Sequence, residues 1–481
     1  MDLTSTGLRR SGPSLKADAI SFVSNVVIGV ASTAPAYSLA ATLGLVAAAA
    51  SYATPAIMLV AFVPMLFIAV AYHHLNRADP DCGTTFSWTT RAMGPHAGWM
   101  GGWGIIVTDI LVMPNLAAIA GQYSFQLFGV TDPSLPEVTL VGILWIVAMT
   151  AICYVGIELS AGVQRFLLGA EVVILVAFVL VALAKVYAGG APAGSQPVSL
   201  SWLNPFEAGS FDNFTQAVLL AVFIYWGWDS GVSVNEETRN PGTAPGHAAV
   251  VSTFVLLAIY VLVAIAATAF AGPDLLAKRS DDVFAASGEP VCGPWLNKVL
   301  ILAVLTSASA ATQTTILPTA RTTLSMARAG AIPRRFGEIH PRYLSPGFST
   351  IVMGAVSVVW YVGLTLLSKD VLSDSILALG LGISFYYGLT GIACVILHRR
   401  YLLHSARELI LLGILPGLGA VIMFALFVKS CFDLSHQGSA QIFGIGDPVV
   451  IGLGMLLFGF VLMALVRRGS RDFFRRKPEL A

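Results

Sequence analysis

The chain has 481 residues, of which 56% are hydrophobic and 11% are charged, and its mean hydropathy is +0.79. Soluble domains carry about 25% charged residues, so this composition excludes a soluble globular protein. The sequence shows neither a nucleotide-binding loop nor a nucleophile motif. We therefore expect a membrane protein that is not an enzyme, is not driven by ATP in this chain, and needs no cofactor or nucleic-acid partner.

Apolar runs long enough to cross a hydrocarbon core of ~30 Å recur along the chain. They predict an all-α membrane protein with twelve transmembrane helices, called spans 1 to 12 below. An even number of spans places both termini on one side of the membrane. In order, the spans cover residues 20–49, 55–72, 97–128, 138–155, 166–187, 214–234, 247–271, 296–326, 348–367, 375–397, 409–427 and 449–466.

Lysine and arginine are distributed unequally between the two sides. Of the 27 such residues, 21 fall in one set of loops and tails and 6 in the other. Because cytoplasmic loops carry the excess of positive charge, we predict a multi-pass protein of the cell membrane with both termini cytoplasmic. Residues 1–18 and 468–481 are the two cytoplasmic tails, and the second is basic enough to favour anionic lipid. On the opposite side, Cys292 and Cys431 permit a disulfide that the sequence does not require.

Span 1 contains small and hydroxyl residues between Gly29 and a mid-membrane Pro35. Proline removes a backbone hydrogen bond and clashes with the preceding turn, which predicts a break in this helix. A packing face of small residues is the alternative. Between spans 2 and 3, residues 84–93 predict a short helix on the cytoplasmic side. Nearby, His73 and His74 are adjacent and cannot both face one ion on a helix, so we expect no metal.

Three carboxylates lie inside the predicted spans: Asp109 in span 3, Glu171 in span 5, and Asp229 in span 6 between Gly227 and Gly231. A carboxylate at this depth must face protein, water or a ligand, and no basic residue lies deep in any span. Such a group is protonated in some states and ionised in others. We interpret all three as candidates for proton coupling, with a purely structural hydrogen bond as the alternative for Asp109.

The two glycines beside Asp229 also weaken span 6, so spans 1 and 6 have corresponding weak points five spans apart. That spacing predicts a five-plus-five inverted repeat with a binding site at the midplane. The repeats are residues 19–190 and 211–398, followed by spans 11 and 12 in residues 405–467. At such breaks, half-helices offer N–H groups to an anion and carbonyls to a cation. An amino acid carries both groups.

The aromatic run of span 6 divides into two kinds of residue. We predict that Phe223 and Tyr225 face a pocket, whereas Trp226 and Trp228 pack, because successive residues cannot all face one cavity. Span 8 carries a polar stripe that either contacts substrate or bonds within the bundle. This stripe consists of Ser307, Ser309, Thr312, Gln313, Thr314 and Thr315.

The segment after span 8, residues 321–342, is rich in arginine. Glu236 and Glu237 lie at the cytoplasmic end of span 6, so we predict ion pairs between the two segments. The alternative is the ordinary enrichment of arginine on the cytoplasmic side.

Three motifs, in order across essentially the whole chain, resemble those of the amino acid, polyamine and organocation permeases of the bacterial amino acid permease type. The resemblance implies a LeuT-type fold, with ten spans in two inverted repeats and two further spans, that works by alternating access. The motifs are Gly156-Ile157-Glu158-Leu159-Ser160-Ala161, Tyr225-Trp226-Gly227-Trp228-Asp229 with residues 236–241, and residues 321–342.

The resemblance also implies a substrate site at the two breaks, with backbone N–H groups meeting a carboxylate and carbonyls meeting an ammonium. An aromatic gate falls at Phe223, and Asp229 matches a carboxylate linked to pH response in some relatives. Glu171 stands where some proton-coupled relatives have lysine, and a carboxylate there binds a proton, attracts sodium or holds a cationic substrate. The implied substrate positions are Gly29, Val30, Ala31, Ser32 and Thr33 in span 1, and Phe223, Ile224, Tyr225 and Gly227 in span 6.

We interpret the chain as a secondary active transporter that imports amino acids with protons across the cytoplasmic membrane. Its partners are then a small-molecule substrate, the proton as coupling ion, and membrane lipid, in a monomer or homodimer. A second hypothesis is an exchanger or importer of cationic amino acids or polyamines. The three embedded acids favour it, because no basic residue lies inside the bundle to neutralise them. A third is a drug-efflux permease or a non-transporting sensor with the same pocket.

Overall fold

A computed structural model describes residues 13–130, 132–278, 283–367, 371–436, 441–442 and 444–478. Within that part of the chain the architecture is helical, apart from the short antiparallel strands β1 (Gln441–Ile442) and β2 (Ile445–Gly446). The helices are α1 (Phe22–Ser32), α2 (Pro35–Ala50), α3 (Thr54–Ala78), α4 (Thr85–Met93), α5 (Pro95–Leu127), α6 (Leu135–Val155), α7 (Ile157–Tyr187), α8 (Phe211–Ile224), α9 (Ser230–Ser233), α10 (Ala244–Lys278), α11 (Val283–Arg328), α12 (Gly347–Leu367), α13 (Val371–His398), α14 (Ala406–Glu408), α15 (Leu415–Asp433), α16 (Asp447–Arg467) and α17 (Arg471–Phe474).

Shorter helical turns connect several of these helices. A wide π-helical turn at Leu409–Ile414 joins α14 to α15, so the chain is continuous through the predicted span 11. Single 3-10 turns lie at Ser51–Ala53, Leu200–Leu203, Pro205–Ala208, Asn235–Glu237, Arg334–Gly337 and Leu434–His436.

Ten helical stretches in the described residues are long and apolar enough to cross a membrane. The first of them, Phe22–Ala78, contains α1, α2 and α3, and the shorter apolar α8 lies outside the ten. Our prediction of a multi-pass helical membrane protein is confirmed. The short predicted helix at residues 84–93 is also confirmed, since α4 covers Thr85–Met93.

The chain of span 1 is interrupted where proline enters it. Helix α1 ends at Ser32, Ala34 has a left-handed backbone with φ of 45°, and Pro35 begins α2. Proline suits the first position of a helix because its missing N–H would have no partner there. The residue that cannot continue α1 therefore begins α2.

The chain of span 6 is interrupted in a similar way by glycine. Helix α8 ends at Ile224, residues 225–229 form turns, and α9 begins at Ser230. Gly227 adopts φ of 119°, which is a conformation that only glycine takes without strain. The chain before α1 pairs with the chain after α9, since the N–H of Ile20 donates to the Glu237 carbonyl at 3.0 Å. The two interrupted helices are thus joined at one end of the bundle.

The helices differ in burial, which separates an inner from an outer layer. In the most apolar part of α5, 89% of the residues are buried. The corresponding shares in α6 and α16 are 28% and 22%. In a protein whose helices meet lipid, exposed apolar side chains of this kind belong on the outside of the bundle. Helices α1 and α2 pack on α10 and α11, and α5 packs on α11 and α13. The two breaks therefore lie at the centre of the bundle.

Span 5 starts earlier than predicted, and the possible disulfide involves a residue whose side chain the structure does not describe. Helix α7 begins at Ile157, nine residues before the predicted start of span 5, because Gly156 with φ of 131° ends the preceding helix. Its first turns are less apolar, so hydropathy alone placed the start too late. Cys431 is a free thiol, and the side chain of Cys292 lies outside the described residues.

Candidate functional site

The two helix breaks contact each other directly. The hydroxyl oxygens of Ser32 and Ser230 lie 2.7 Å apart and share a hydrogen bond. Gly227 lies so close to Ser32 that a Cβ atom on the glycine would be 2.7 Å from the Ser32 carbonyl oxygen. The absence of a side chain at position 227 is therefore what allows the two breaks to touch.

A small closed cavity of about 10 Å³ lies beside this contact. That volume holds about one water molecule, and every residue of its lining is buried, so the site is closed to anything larger than water. The described lining contains hydroxyl, aromatic and apolar side chains and neither a carboxylate nor a basic group. It consists of Ser32, Thr33, Ala34, Tyr37, Ser38, Val112, Leu116, Phe223, Trp226, Ala311 and Thr315.

Phe223 lies between this cavity and a larger one. A second cavity of about 290 Å³ is formed by residues of α8, α13 and α15, and Phe223 lines both. The larger cavity also includes Lys429 and Asp433, whose Nζ and Oδ2 atoms are 2.9 Å apart. Phe223 is thus shared by the linings of the two cavities, and it is the residue for which the resemblance implies an aromatic gate.

Only some of the predicted substrate positions line the closed cavity. Ser32, Thr33 and Phe223 do. Gly227 does not line the cavity but lies against Ser32. The Ile224 carbonyl accepts a hydrogen bond from the Tyr260 hydroxyl at 2.5 Å, so that oxygen is engaged within the protein. Three further predicted residues are buried inside α1, before its end: Gly29, Val30 and Ala31.

The structure reverses our prediction for two aromatic residues. Tyr225 packs away from the cavity, with its hydroxyl donating to the Met58 carbonyl at 3.1 Å and its ring against Tyr260. Trp226, which we predicted to pack, lines the cavity. The reason is that helical spacing does not apply after Ile224, where α8 ends and the chain turns.

Glu171 binds the beginning of α2. Its Oε1 atom accepts hydrogen bonds from the Ala36 N–H at 2.6 Å and from the Ser307 hydroxyl at 2.8 Å. A helix N-terminus favours a negative charge at this position. The Oε2 atom is buried without a hydrogen-bond partner. Glu171 therefore connects α7, α2 and α11, and it occupies an N–H group at the start of a half-helix, although Ala36 is not one of the predicted substrate positions.

Asp229 is surrounded by phenols. Its carboxylate accepts hydrogen bonds from the hydroxyls of Tyr387 at 2.9 Å, Tyr386 at 3.0 Å and Tyr72 at 3.4 Å. The Trp226 indole N–H donates to the Tyr386 hydroxyl. A polar chain thus runs from the cavity wall through Trp226 and Tyr386 to Asp229. Asp229 itself does not line the cavity.

Asp109 also lies outside the cavity. It is 3% exposed, and its Oδ2 atom accepts a hydrogen bond from the Thr319 hydroxyl at 2.5 Å. Within the described residues, none of the three carboxylates predicted for proton coupling forms an ion pair. Each carboxylate has its own hydrogen-bond donors, and none of the donors named above is shared between two of them.

The residues of the polar stripe in span 8 have two kinds of contact: one faces the cavity, and others form hydrogen bonds within the bundle. Thr315 faces the cavity, and Ser307 binds Glu171. Gln313 donates to the Ser160 hydroxyl and accepts from the Gln164 side chain at 2.8 Å. Most of the stripe therefore bonds within the bundle, in agreement with the second of the two interpretations that the sequence left open.

Ion pairs close the bundle at the end where the arginines lie. Arg321 makes two hydrogen bonds to Glu237, at 2.6 and 3.0 Å, and both side chains are buried. Arg328 binds Glu236 at 2.8 Å. The predicted pairing of these two segments is confirmed. The Sγ of Cys82 and carboxylate oxygens of Asp81 and Glu236 also lie within 4.8 Å of one another, beside the Arg328 guanidinium.

Several residues of the lining gave no signal in the sequence. Val112, Leu116 and Ala311 are apolar residues within apolar helices, and nothing distinguishes them there from packing residues. Tyr37 is held by a hydrogen bond from its hydroxyl to the Asn115 amide oxygen at 2.8 Å. Asn115 is a polar residue next to Pro114 within an apolar helix, which is a signal that could have pointed to this part of span 3.

Since the sequence predicts a transporter, replacing Gly227 with alanine is expected to reduce transport at least ~10-fold. The positive φ costs an alanine about 1–3 kcal/mol, and the added methyl group would displace the Ser32 carbonyl. Gly363→Ala is the matched control, because Gly363 has no atom within 4 Å of an added Cβ. Transport by both variants, normalised to the amount of folded protein, measures the effect. Equal transport by the two variants would show that the contact between the breaks is not required.

Apolar helices, two interrupted helices and a buried cavity where they meet define a helical integral membrane protein with a central cavity. A model of the amino acid permease family matches residues 17–465. The chain belongs to that family.

The names of the curated relatives differ in whether they state a substrate and in which one they state. An uncharacterized transporter of Mycobacterium tuberculosis is 29% identical over 290 residues, which cover 60% of this chain and 61% of that protein. A branched-chain amino acid permease of Bacillus subtilis is 23% identical over 77% of this chain and 78% of its own length. A low-affinity putrescine importer of Escherichia coli is 25% identical over 70% of this chain and 73% of its own length. The alignment thus spans about three fifths of the first of these relatives.

Proposed function

We propose that this chain is a secondary active transporter that imports a neutral amino acid with a proton across the cell membrane. It does so with twelve spans in a LeuT-type arrangement: inverted repeats at residues 19–190 and 211–398, then two spans at residues 405–467. Both tails, residues 1–18 and 468–481, lie in the cytoplasm. The observation that carries the proposal is the closed, uncharged cavity where the two helix breaks meet.

The chemistry of the cavity favours a neutral substrate over a cationic one. Its described lining offers hydroxyls from Ser32, Thr33 and Thr315, and apolar surface from Val112 and Leu116, but no carboxylate. A buried ammonium or guanidinium group without a counter-charge costs several kcal/mol. The three embedded acids lie elsewhere and are bound to donors of the protein. The substrate's own ammonium and carboxylate groups are met by backbone groups at the breaks.

The two ends of the bundle support alternating access. The arginine-rich end is closed by the Arg321–Glu237 and Arg328–Glu236 pairs, whereas the other end has the 290 Å³ cavity above Phe223. The closed cavity is too small for an amino acid, so a substrate enters only when the Phe223 ring moves. We assign the present arrangement to a state closed to the cytoplasm, with Phe223 as the last barrier on the outer side.

Glu171 is the first candidate for proton coupling. In its ionised form it holds the N-terminus of α2 through the Ala36 N–H, and it bridges to α11 through Ser307. Protonation removes the charge that the helix end favours, so it weakens the connection between α2 and its neighbours. A proton on Glu171 would in this way bias the movement of one half-helix. Asp229 is the second candidate, since its tyrosine shell connects α9 with α13 and α3.

Equilibrium binding to the purified protein tests the substrate class. Labelled alanine, leucine, arginine and putrescine are the probes, each competed by the other three. We expect alanine or leucine to bind at least ~10-fold more tightly than arginine and putrescine, because the cavity provides no counter-charge. Tighter binding of arginine or putrescine would overturn the neutral-substrate assignment and support the cationic alternative.

A further inference from the structure

Four arginines and a histidine converge at the inner end of α16, outside the site described above. Arg467 and Arg468 end this helix, and Arg471 and Arg475 follow in the short C-terminal segment that contains α17. Together with His96 at the beginning of α5 they line a cavity of about 510 Å³. This cavity is on the outer surface of the bundle, since all four arginine side chains are exposed.

The C-terminal segment is held in place by two aromatic anchors. Phe473 and Phe474 are only 1% and 8% exposed. The Phe473 ring stacks on Phe86 of α4 with centroids 5.8 Å apart, and Phe474 contacts His96 with centroids 5.3 Å apart. The Arg476 guanidinium also donates to the Ala329 carbonyl at 2.9 Å. The arginines around these anchors therefore have a defined position.

The four arginines bring four positive charges to one cavity. In the described part of the chain, none of their side chains forms a salt bridge or a hydrogen bond. Four positive charges in one cavity repel one another unless an anion neutralises them. Arginine also suits phosphate, because its planar fork donates two hydrogen bonds to two oxygens.

The remaining wall of the cavity is apolar and continues up the membrane-facing side of α16. It consists of Phe460, Met463 and Ala464 of α16 together with Phe474, and Phe460 is 51% exposed. Along this face the chain thus changes from apolar residues to arginines over about two helical turns. An apolar surface followed by positive charge matches a phospholipid, whose acyl chains are joined to a phosphate headgroup. A soluble phosphate would make no use of the apolar wall.

We propose that this cavity is a binding site for an anionic phospholipid. Its phosphate and the net negative charge of its headgroup are held by Arg467, Arg468, Arg471 and Arg475, and its acyl chains lie against Phe460 and Met463. Basic pockets at the inner ends of transmembrane helices are suited to such headgroups. The two phenylalanine anchors position the C-terminal half of the site, so lipid binding and docking of the tail stabilise each other.

Native mass spectrometry of the full-length protein tests the proposal. The probes are phosphatidylglycerol and phosphatidylcholine with the same acyl chains, titrated at several salt concentrations. We expect phosphatidylglycerol to bind at least ~10-fold more tightly, with the preference decreasing at high salt. The fourfold variant R467Q/R468Q/R471Q/R475Q should lose this preference. The matched control R334Q/R335Q/R399Q/R400Q removes the same charge from exposed positions and should keep it.

Two further arms distinguish a lipid site from a general attraction of anions to positive charge. Phe474→Ala leaves every charge in place but removes one anchor. We expect this variant to bind phosphatidylglycerol several-fold more weakly. Its unfolding temperature without lipid should stay close to that of the wild type. Glycerol phosphate should not compete at concentrations where the lipid saturates the site. Equal loss of preference in the fourfold variant and its control, or displacement of the lipid by glycerol phosphate, would overturn the proposal.

Discussion

Replacing Glu171 with glutamine is expected to abolish accumulation of substrate driven by a pH gradient, with at least a ~10-fold loss, while exchange between the two sides is partly retained. Glutamine keeps an oxygen that accepts from the Ala36 N–H and the Ser307 hydroxyl, so the fold around α2 is preserved. It cannot gain or lose a proton at neutral pH. The substitution therefore separates the coupling role of this side chain from its structural role.

The matched control for this variant is Glu158→Gln on the same helix. Glu158 is exposed, with 57% of its side chain accessible, and pairs with Lys16 at the surface. Exposed ion pairs contribute at most about 1 kcal/mol, so this variant should transport like the wild type. The assay is uptake and counterflow in proteoliposomes. Wild-type accumulation by Glu171→Gln would exclude Glu171 as the coupling group.

Replacing Arg321 with methionine is expected to produce the largest loss of stability. Arg321 and Glu237 have 3% and 1% of their side chains exposed, so removing the arginine leaves a buried carboxylate without its partner. Breaking a buried pair in this way costs about 3–5 kcal/mol. Arg328→Met is the matched control, because its pair with Glu236 is more exposed, at 15% and 26%, and its loss should cost clearly less. Thermal unfolding in detergent measures both.

The double variant Arg321→Met/Glu237→Met distinguishes a missing ion pair from a simple packing defect. Removing both charges leaves no uncompensated group, and such replacements are often close to neutral. We therefore expect the double variant to unfold at a higher temperature than Arg321→Met alone. If the double variant were the less stable of the two, the buried pair would not be the source of the effect. Transport by the double variant should still be impaired, because this pair closes the inner end of the proposed carrier.

The main features of the fold could be predicted because each has a local cause in the sequence. Pro35 and Gly227 mark the two interruptions, since their backbone preferences act without help from the rest of the chain. The pairs of Arg321 and Arg328 with two glutamates followed from charge at matching ends of two spans. Apolar length alone gave the helices, but polar ends were missed: α3 and α15 each continue six residues beyond the predicted ends of spans 2 and 11.

The walls of the site could not be predicted in the same way. Val112 and Ala311 face the cavity only because of how α5 and α11 are rotated in the bundle, and rotation depends on packing partners distant in sequence. Trp226 was misassigned because helical spacing was applied to a segment that is not helical. The use of the Ala36 N–H by Glu171 also depends on a contact between residues 135 positions apart.

The measurement that tests the central claim most directly is uptake of labelled neutral amino acids into proteoliposomes with an alkaline interior. It is made with and without sodium, and with empty or substrate-loaded vesicles. We predict accumulation that follows the pH gradient, does not depend on sodium and occurs in empty vesicles. Movement only into loaded vesicles, regardless of the pH gradient, would contradict proton-coupled import and identify an exchanger instead.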